Sequence, residues 1–561
     1  MRSPYKTRQK SREINCTNLG WLYHYATKKY AKRKMSQFTD GSQAYTYASF
    51  KQTCEALSQR LLRFGISAGD KVAILSQNMP NWTVAFFTAT AYGRVAIPIL
   101  PDSSENEVTN ILTHSESKVI FISKRCLPKL SRECMDSLVL VVDIETFTFI
   151  KKDRDAFQCD GYAKTPEPDD LATIIYTSGT TGHAKGVMLS HRNLAHNIIE
   201  ALKAEYCTQK DRFLSILPMA HAYEMSLACL YPIFVGACVY YIKRPPTPSI
   251  LMETMAKIRP TVMCAVPLII EKVYKNSIMP TVTKSRVLSW MRDKTPHIFH
   301  WLVGKRLYKS FGGKLHFFGI GGGKLDPVVE EFLKRCRFPY AIGYGLTECA
   351  PLVSNAMVGR TKVGSIGIAS FQVEVKLDNV DPATGEGEIV CRGENVMLGY
   401  YKDPERTLQV IDDEGWFRTG DVASVDKDGY YFIKGRLNNT IVGPSGENIY
   451  PEEIEMVLSD MEGIAESLVM ERDGKLVALV KFDDNVLNWD QAYEDKFFEN
   501  LNARKQAVME FINKKVGKNS KINEVDAMKE PFEKTATGKI RRFLYRNFRS
   551  EEPRKEDKDQ E

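Results

Sequence analysis

Two features of the sequence predict an α/β fold. Short β-branched apolar runs at residues 71–75, 119–122 and 138–142 read as buried strands, and the stretch 46–64 has the apolar spacing of a helix. Such alternation is the pattern of parallel strands layered with helices. The length, 561 residues with 43% hydrophobic and 26% charged, suffices for roughly three or four core-bearing units and rules out a disordered chain or a lone small module.

Beyond residue 391 the texture changes to hairpins. Runs at 422–425 and 430–433 flank Asp426-Lys-Asp-Gly429, where glycine supplies a left-handed turn position. After a loop at 442–446, Pro451 can open a helix whose first turns carry Glu452, Glu453 and Glu455, favourable at the positive end of its dipole. Ile454, Val457, Leu458 and Met461 mark its inner face. Strands at 467–472 and 475–482 meet at Asp473-Gly474, and 491–516 is amphipathic. The expected domains are therefore 1–436, layered α/β subdomains plus a β-rich subdomain, and 437–548, a small α+β domain. Residues 549–561, of mixed charge without large apolar groups, read as a disordered tail.

Lysine and arginine exceed aspartate and glutamate by 77 − 69 = 8, too diffuse an excess to indicate nucleic-acid binding but suited to small polyanions. The first 34 residues hold ten Lys/Arg against Glu13 alone and read as a solvated, membrane-touching arm. The apolar run 226–242 contains Pro232 and Gly236 and reads as core rather than a bilayer span. Twelve scattered cysteines, with no CxxC pair and no zinc-type spacing, point to a reducing cytoplasmic setting, with peripheral contact at the inner face of a membrane left open.

Four blocks carry chemistry. Ile174-Ile-Tyr-Thr-Ser-Gly-Thr-Thr-Gly-His-Ala-Lys-Gly186 follows a β-like run. Its glycines Gly179 and Gly182 let backbone amides approach an anion, Thr177, Ser178, Thr180 and Thr181 add hydroxyls, and Lys185 adds charge. An arbitrary loop of this composition is ordinarily a polar surface turn. Gly319-Ile-Gly-Gly-Gly-Lys-Leu325 precedes Gly343-Tyr-Gly-Leu-Thr-Glu348; Gly321, Gly322 and Gly323 leave room for a flat base, Tyr344 offers a ring and Thr347 a hydroxyl. Trp416-Phe-Arg-Thr-Gly-Asp421 leads to Lys434-Gly-Arg436, and Glu533-Lys-Thr-Ala-Thr-Gly-Lys539 continues to Arg542.

In order and separation these blocks resemble the adenylate-forming superfamily, which includes acyl-CoA synthetases, firefly luciferases and the adenylation domains of peptide synthetases. The resemblance runs from Tyr45 through Arg542, with a departure at Ala184. It implies that Glu348 holds Mg²⁺, that Asp421 accepts the ribose hydroxyls of ATP, with Arg436 on phosphate or ribose, and that Lys539 is the essential lysine of adenylation. It also implies a mobile C-terminal domain hinged at Asn438, with Ser445, Gly446 and Glu447 serving coenzyme A after rotation. Leu217-Pro-Met-Ala-His221 looks like the wall of the acyl pocket, with His221 either structural or functional near the carboxylate, and Tyr223, Met225 and Leu227 as lining. The segments Gly446 to Glu455 and Asn395 to Tyr401 look most like long-chain fatty-acid CoA ligases.

The reaction implied is ATP-dependent activation of a medium- to long-chain fatty acid to acyl-adenylate and then acyl-CoA, releasing AMP and pyrophosphate. Two alternatives remain: transfer to a carrier-protein thiol, and a catalytically silent lipid-binding or scaffold protein. Lys185, Glu348, Asp421, Arg436 and Lys539 together argue against silence.

Overall fold

The computed structural model describes residues 16–153, 161–178, 184–244, 246–442, 448–487, 489, 495–517, 520–535, 538–546 and 548. Lys71–Leu75 lies between Val95–Ile99 and Val119–Ile122, all parallel, inside an eight-stranded sheet. A second sheet of nine strands carries the parallel run Arg212–Ser215, Val262–Ala265, Phe317–Ile320 and Tyr340–Gly345. Parallel strands require cover on both faces. Helix Pro80–Thr90 is buried along its whole length and joins helices Tyr47–Leu62 and His191–Ala204 in the main core. The helix over 46–64 forms as expected: Thr46 caps it, exchanging hydrogen bonds with Ser49, while Phe50, Cys54, Leu57 and Leu61 turn inward.

One expectation fails. The first 34 residues are not an arm throughout, because Leu19–Lys29 is a helix whose Leu19, Leu22, Tyr23 and Ala26 are fully buried in the main core. Averaging charge over the segment hid this i, i+3, i+4, i+7 stripe, whose basic residues Lys28 and Lys29 gather at the helix end where the dipole favours them. The run 226–242 is core: helix Tyr231–Val235, closed by Gly236 at φ 77°, turns into strand Cys238–Tyr241. No helix among the described residues is long and apolar enough to cross a membrane. The described cysteines are all free thiols.

Hairpin Phe417–Val425/Tyr431–Arg436 belongs to a four-stranded antiparallel sheet. Asp426 Oδ1 accepts from the amides of Asp428 and Tyr430 at 2.9 and 3.0 Å, and Gly429 takes φ 81°, which closes the predicted turn. Further on, helix Pro451–Leu458 and helix Asp495–Asn513 accompany a sheet of Ile464–Arg472, Lys475–Phe482 and Glu524–Ala527. Ile454 and Leu458 are buried in a core separate from the main one, whereas Val457 and Met461 are only partly covered.

Leu458 is fully buried. Leu458→Ala should cost about 2–5 kcal/mol of the stability of this small core, read by denaturant unfolding of the full chain. A loss below about 0.5 kcal/mol would show that Leu458 is not a packing anchor.

Candidate active site

Both halves of the second block sit where a parallel sheet presents ligands, at the carboxyl ends of its strands. Gly321 and Gly322 directly follow Phe317–Ile320, and Thr347 and Glu348 follow Tyr340–Gly345. The backbone explains two glycines. Gly322 has φ 81°, and a Cβ at Gly345 would fall 1.9 Å from the Pro351 carbonyl oxygen, so no side chain fits there.

A cavity of about 1520 Å³ opens at these strand ends. Thr177, Lys185, His221, Gly321, Gly322, Tyr344, Thr347, Glu348, Arg436 and Asn438 line it, and so does Lys539 from beyond the hairpin sheet. Asp421 stands behind this wall rather than in it, and Gly323 is exposed just beyond the lining. Asp421 is 5% exposed, accepting from Tyr344 Oη at 2.6 Å and pairing with Arg436 Nε at 2.7 Å. Burial raises its pKa, while Arg436, the Tyr344 hydroxyl and Lys539 oppose the rise. Arg436 also donates from Nη1 to the Thr419 carbonyl at 3.1 Å, which aims the guanidinium.

Tyr400 was missed from sequence as a site residue, although it lay in a segment quoted for the resemblance. Its hydroxyl donates to Glu348 Oε1 at 3.0 Å, and Lys185 Nζ stands 5.1 Å from the centre of its ring. Burial, then Arg406, lowers the Lys185 pKa, and Glu348 works against them. Lys539 is exposed to the cavity yet flanked by protein. Burial and then Arg436 lower its pKa, with Asp421 and Glu348 raising it. His221 is lowered by burial, then by Lys539.

Lys539 reaches this position because the small core docks on the large part of the chain. Arg541 Nη2 donates to Glu107 Oε1 at 3.0 Å, Tyr450 Oη to Glu386 Oε2 at 2.9 Å, and Lys275 Nζ to the Ser459 carbonyl at 3.3 Å. Asn438 lies in the single turn Leu437–Asn439 between the two parts. Gly179, Thr180, Thr181, Gly182, Ser445, Gly446 and Glu447, with the Ser178 side chain, fall outside the described residues.

Beneath the polar rim the cavity becomes apolar and follows the strands from Val266 and Gly321 back to Val262 and Phe317, four residues or about 13 Å. Tyr223 and Leu227 line it, but Met225 turns into the core instead. Glu205, Cys207 and Tyr231 also border the cavity: Tyr231 Oη donates to the Glu205 carbonyl at 2.5 Å and accepts from the Cys207 amide at 3.0 Å.

Next to them, Cys207, Asp211 and His316 bring potential metal-ligand atoms within 4.8 Å of one another. Both imidazole nitrogens face carboxylates, Nδ1 at 3.0 Å from Glu205 and Nε2 at 2.8 Å from Asp211, so the imidazolium itself fills the cation's place. Despite burial, these partners push the His316 pKa from 6.5 up to about 9. The clamp should stabilise the fold fully below pH 6.5 and be lost as pH rises through about 9. His316→Gln should flatten the pH dependence of unfolding over this window; an unchanged slope would exclude the clamp.

A family model described as "AMP-binding enzyme" matches residues 23–401. Long chain acyl-CoA synthetase 7, peroxisomal, of Arabidopsis thaliana is 29% identical over 85% of this chain and 74% of its own. Human long-chain-fatty-acid–CoA ligase 1 is 27% identical over 87% of this chain and 77% of its own. Among solved structures, o-succinylbenzoate CoA synthetase of Bacillus subtilis with its acyl-adenylate has a TM-score of 0.75 at 20% identity, covering 94% of this chain and 98% of its own. ATP-bound MatB of Rhodopseudomonas palustris has a TM-score of 0.74 at 23% identity, with the same coverage. The chain belongs to the AMP-binding enzyme family, the adenylate-forming superfamily of acid–CoA ligases.

Proposed function

We propose that this enzyme activates a medium- to long-chain fatty acid and passes the acyl group to coenzyme A. The observation that carries the reading is a single cavity whose rim gathers Lys185, Glu348, Arg436 and Lys539 and whose interior is an apolar bore. The acid's carboxylate oxygen attacks the α-phosphorus of ATP, the α–β anhydride bond breaks, and pyrophosphate leaves. The sulfur of coenzyme A then attacks the acyl carbonyl carbon and AMP departs.

In the first step Lys539 lies between the two anions, where an ammonium cancels their repulsion and stabilises charge developing on the α-phosphate. Thr347 donates to that phosphate. Lys185, Thr177, Ser178 and the Gly179–Thr180–Thr181–Gly182 segment hold the outer phosphates. Gly321, Gly322, Gly323 and Tyr344 receive the adenine, and Asp421 with Arg436 the ribose side. Glu348, at the rim beside Lys185 and Tyr400, offers the carboxylate donor that Mg²⁺ takes when phosphates complete its shell; the ion would neutralise phosphate charge. His221, kept neutral by burial and Lys539, borders the acid's carboxylate. Rotation of 437–548 against 1–436 about Asn438 would withdraw Lys539 and present Ser445, Gly446 and Glu447 for the second step.

Lys539→Ala should lower fatty-acid-dependent ATP–pyrophosphate exchange by about a hundredfold or more, yet largely spare thioester formation from supplied acyl-adenylate. Equal loss of both halves would sink this role. Exchange should rise from short to long saturated acids, and run on to coenzyme A rather than to a carrier protein; preference for a short polar acid would refute the fatty-acid reading while leaving the adenylation chemistry intact.

A further inference from the structure

Helices Arg286–Lys294 and Pro296–Ser310 form a hairpin joined through Thr295. The second helix is anchored by Phe299 and Leu307, which are buried in the core beside the nine-stranded sheet. Its opposite side carries Ile298, Trp301, Leu302, Lys305 and Lys309 at spacings of 3, 1, 3 and 4, one continuous helical face, all exposed. The first helix adds Val287 and Trp290, three residues apart and exposed. Trp290 is 58% and Trp301 61% exposed, whereas tryptophan is mostly buried in folded proteins.

Charge accompanies this apolar face. Between residues 281 and 310 there are seven Lys/Arg and one acid, Asp293, whose carboxylate is paired with its neighbour Arg292 at 2.9 Å. Lys305 Nζ stands over the Trp301 ring, 5.3 Å from its centre. Exposed indoles and aliphatic groups fringed by cations have the chemistry of a surface that sinks into the headgroup region of a bilayer and is drawn there by anionic lipid. A folded protein partner of ordinary composition would leave this uniform positive fringe unmatched.

We propose that this hairpin is a membrane-docking surface that seats the enzyme peripherally on an anionic phospholipid bilayer. The docking is independent of the basic N-terminal residues and of which acid the enzyme activates. It requires no spanning segment: the indoles enter to headgroup depth while the anchored side of the hairpin stays packed on the protein.

The test uses the full chain with vesicles of phosphatidylcholine alone or with added phosphatidylserine. The native enzyme should sediment with the phosphatidylserine vesicles, release as salt rises, and have its tryptophan emission quenched by brominated lipid. Trp290→Ser with Trp301→Ser should weaken partitioning by about tenfold or more, since the two rings carry much of the inserted apolar area. Pyrophosphate exchange with a soluble acid should stay at the native level, which establishes that the variant is folded. A chain lacking residues 1–15 should still bind. Binding unchanged in the double variant, absence of bromolipid quenching in the native chain, or loss of all binding with residues 1–15 would overturn the proposal.

Discussion

The cations Lys185, Arg436 and Lys539 face one cavity. Glu348 favours the charged forms of Lys185 and Lys539, Asp421 that of Lys539, and Asp421 also pairs with Arg436 at 2.7 Å, which holds the like charges together. The balance is incomplete by design of the geometry: burial and mutual repulsion still lower the pKa of both lysines, so each gains when an anion arrives. A polyphosphate and a carboxylate supply that anionic charge. The rest of the structure serves to hold this uneven ledger of charge in place, with Tyr344 and Tyr400 fastening the carboxylates by hydrogen bonds of 2.6 and 3.0 Å.

The same sheet that aims the polar rim also forms the bore. Parallel strands end together at one edge, so groups that follow them converge there, while side chains further back along the strands enclose an apolar channel. One architecture thus joins a charged rim to an apolar channel. At the other end of those strands the His316 imidazolium ties Glu205 to Asp211. The exposed Trp290–Trp301 hairpin lies on the outside of the core that backs this sheet, so apolar surface appears both within the enzyme and at its boundary.

Much of the fold was legible. Residues 71–75 and 119–122 are strands because their apolar runs are too short for a helix and their β-branched side chains suit a doubly covered sheet. The turn at Asp426 to Gly429 and the meeting of strands at Asp473-Gly474 were readable because left-handed backbone restricts residue choice. Leu19–Lys29 was not readable by charge count, since its burial depends on a stripe of apolar residues that composition averages away. Met225 was misassigned to the pocket because alternate residues share a face only on a strand, whereas this segment is helical: Tyr223 and Leu227, four apart, face the cavity and Met225 between them turns away.

The sequence by itself determined the family, through four ordered blocks, and the residue types able to meet phosphate, since glycine, hydroxyl and lysine in a loop carry their chemistry wherever they are placed. Only the tertiary structure decided that Asp421 stands behind the cavity wall, that Tyr400 holds Glu348, and that Lys539 crosses from a separate core to join them. Those facts depend on distances between groups remote along the chain, and such distances are set by packing rather than by local preference.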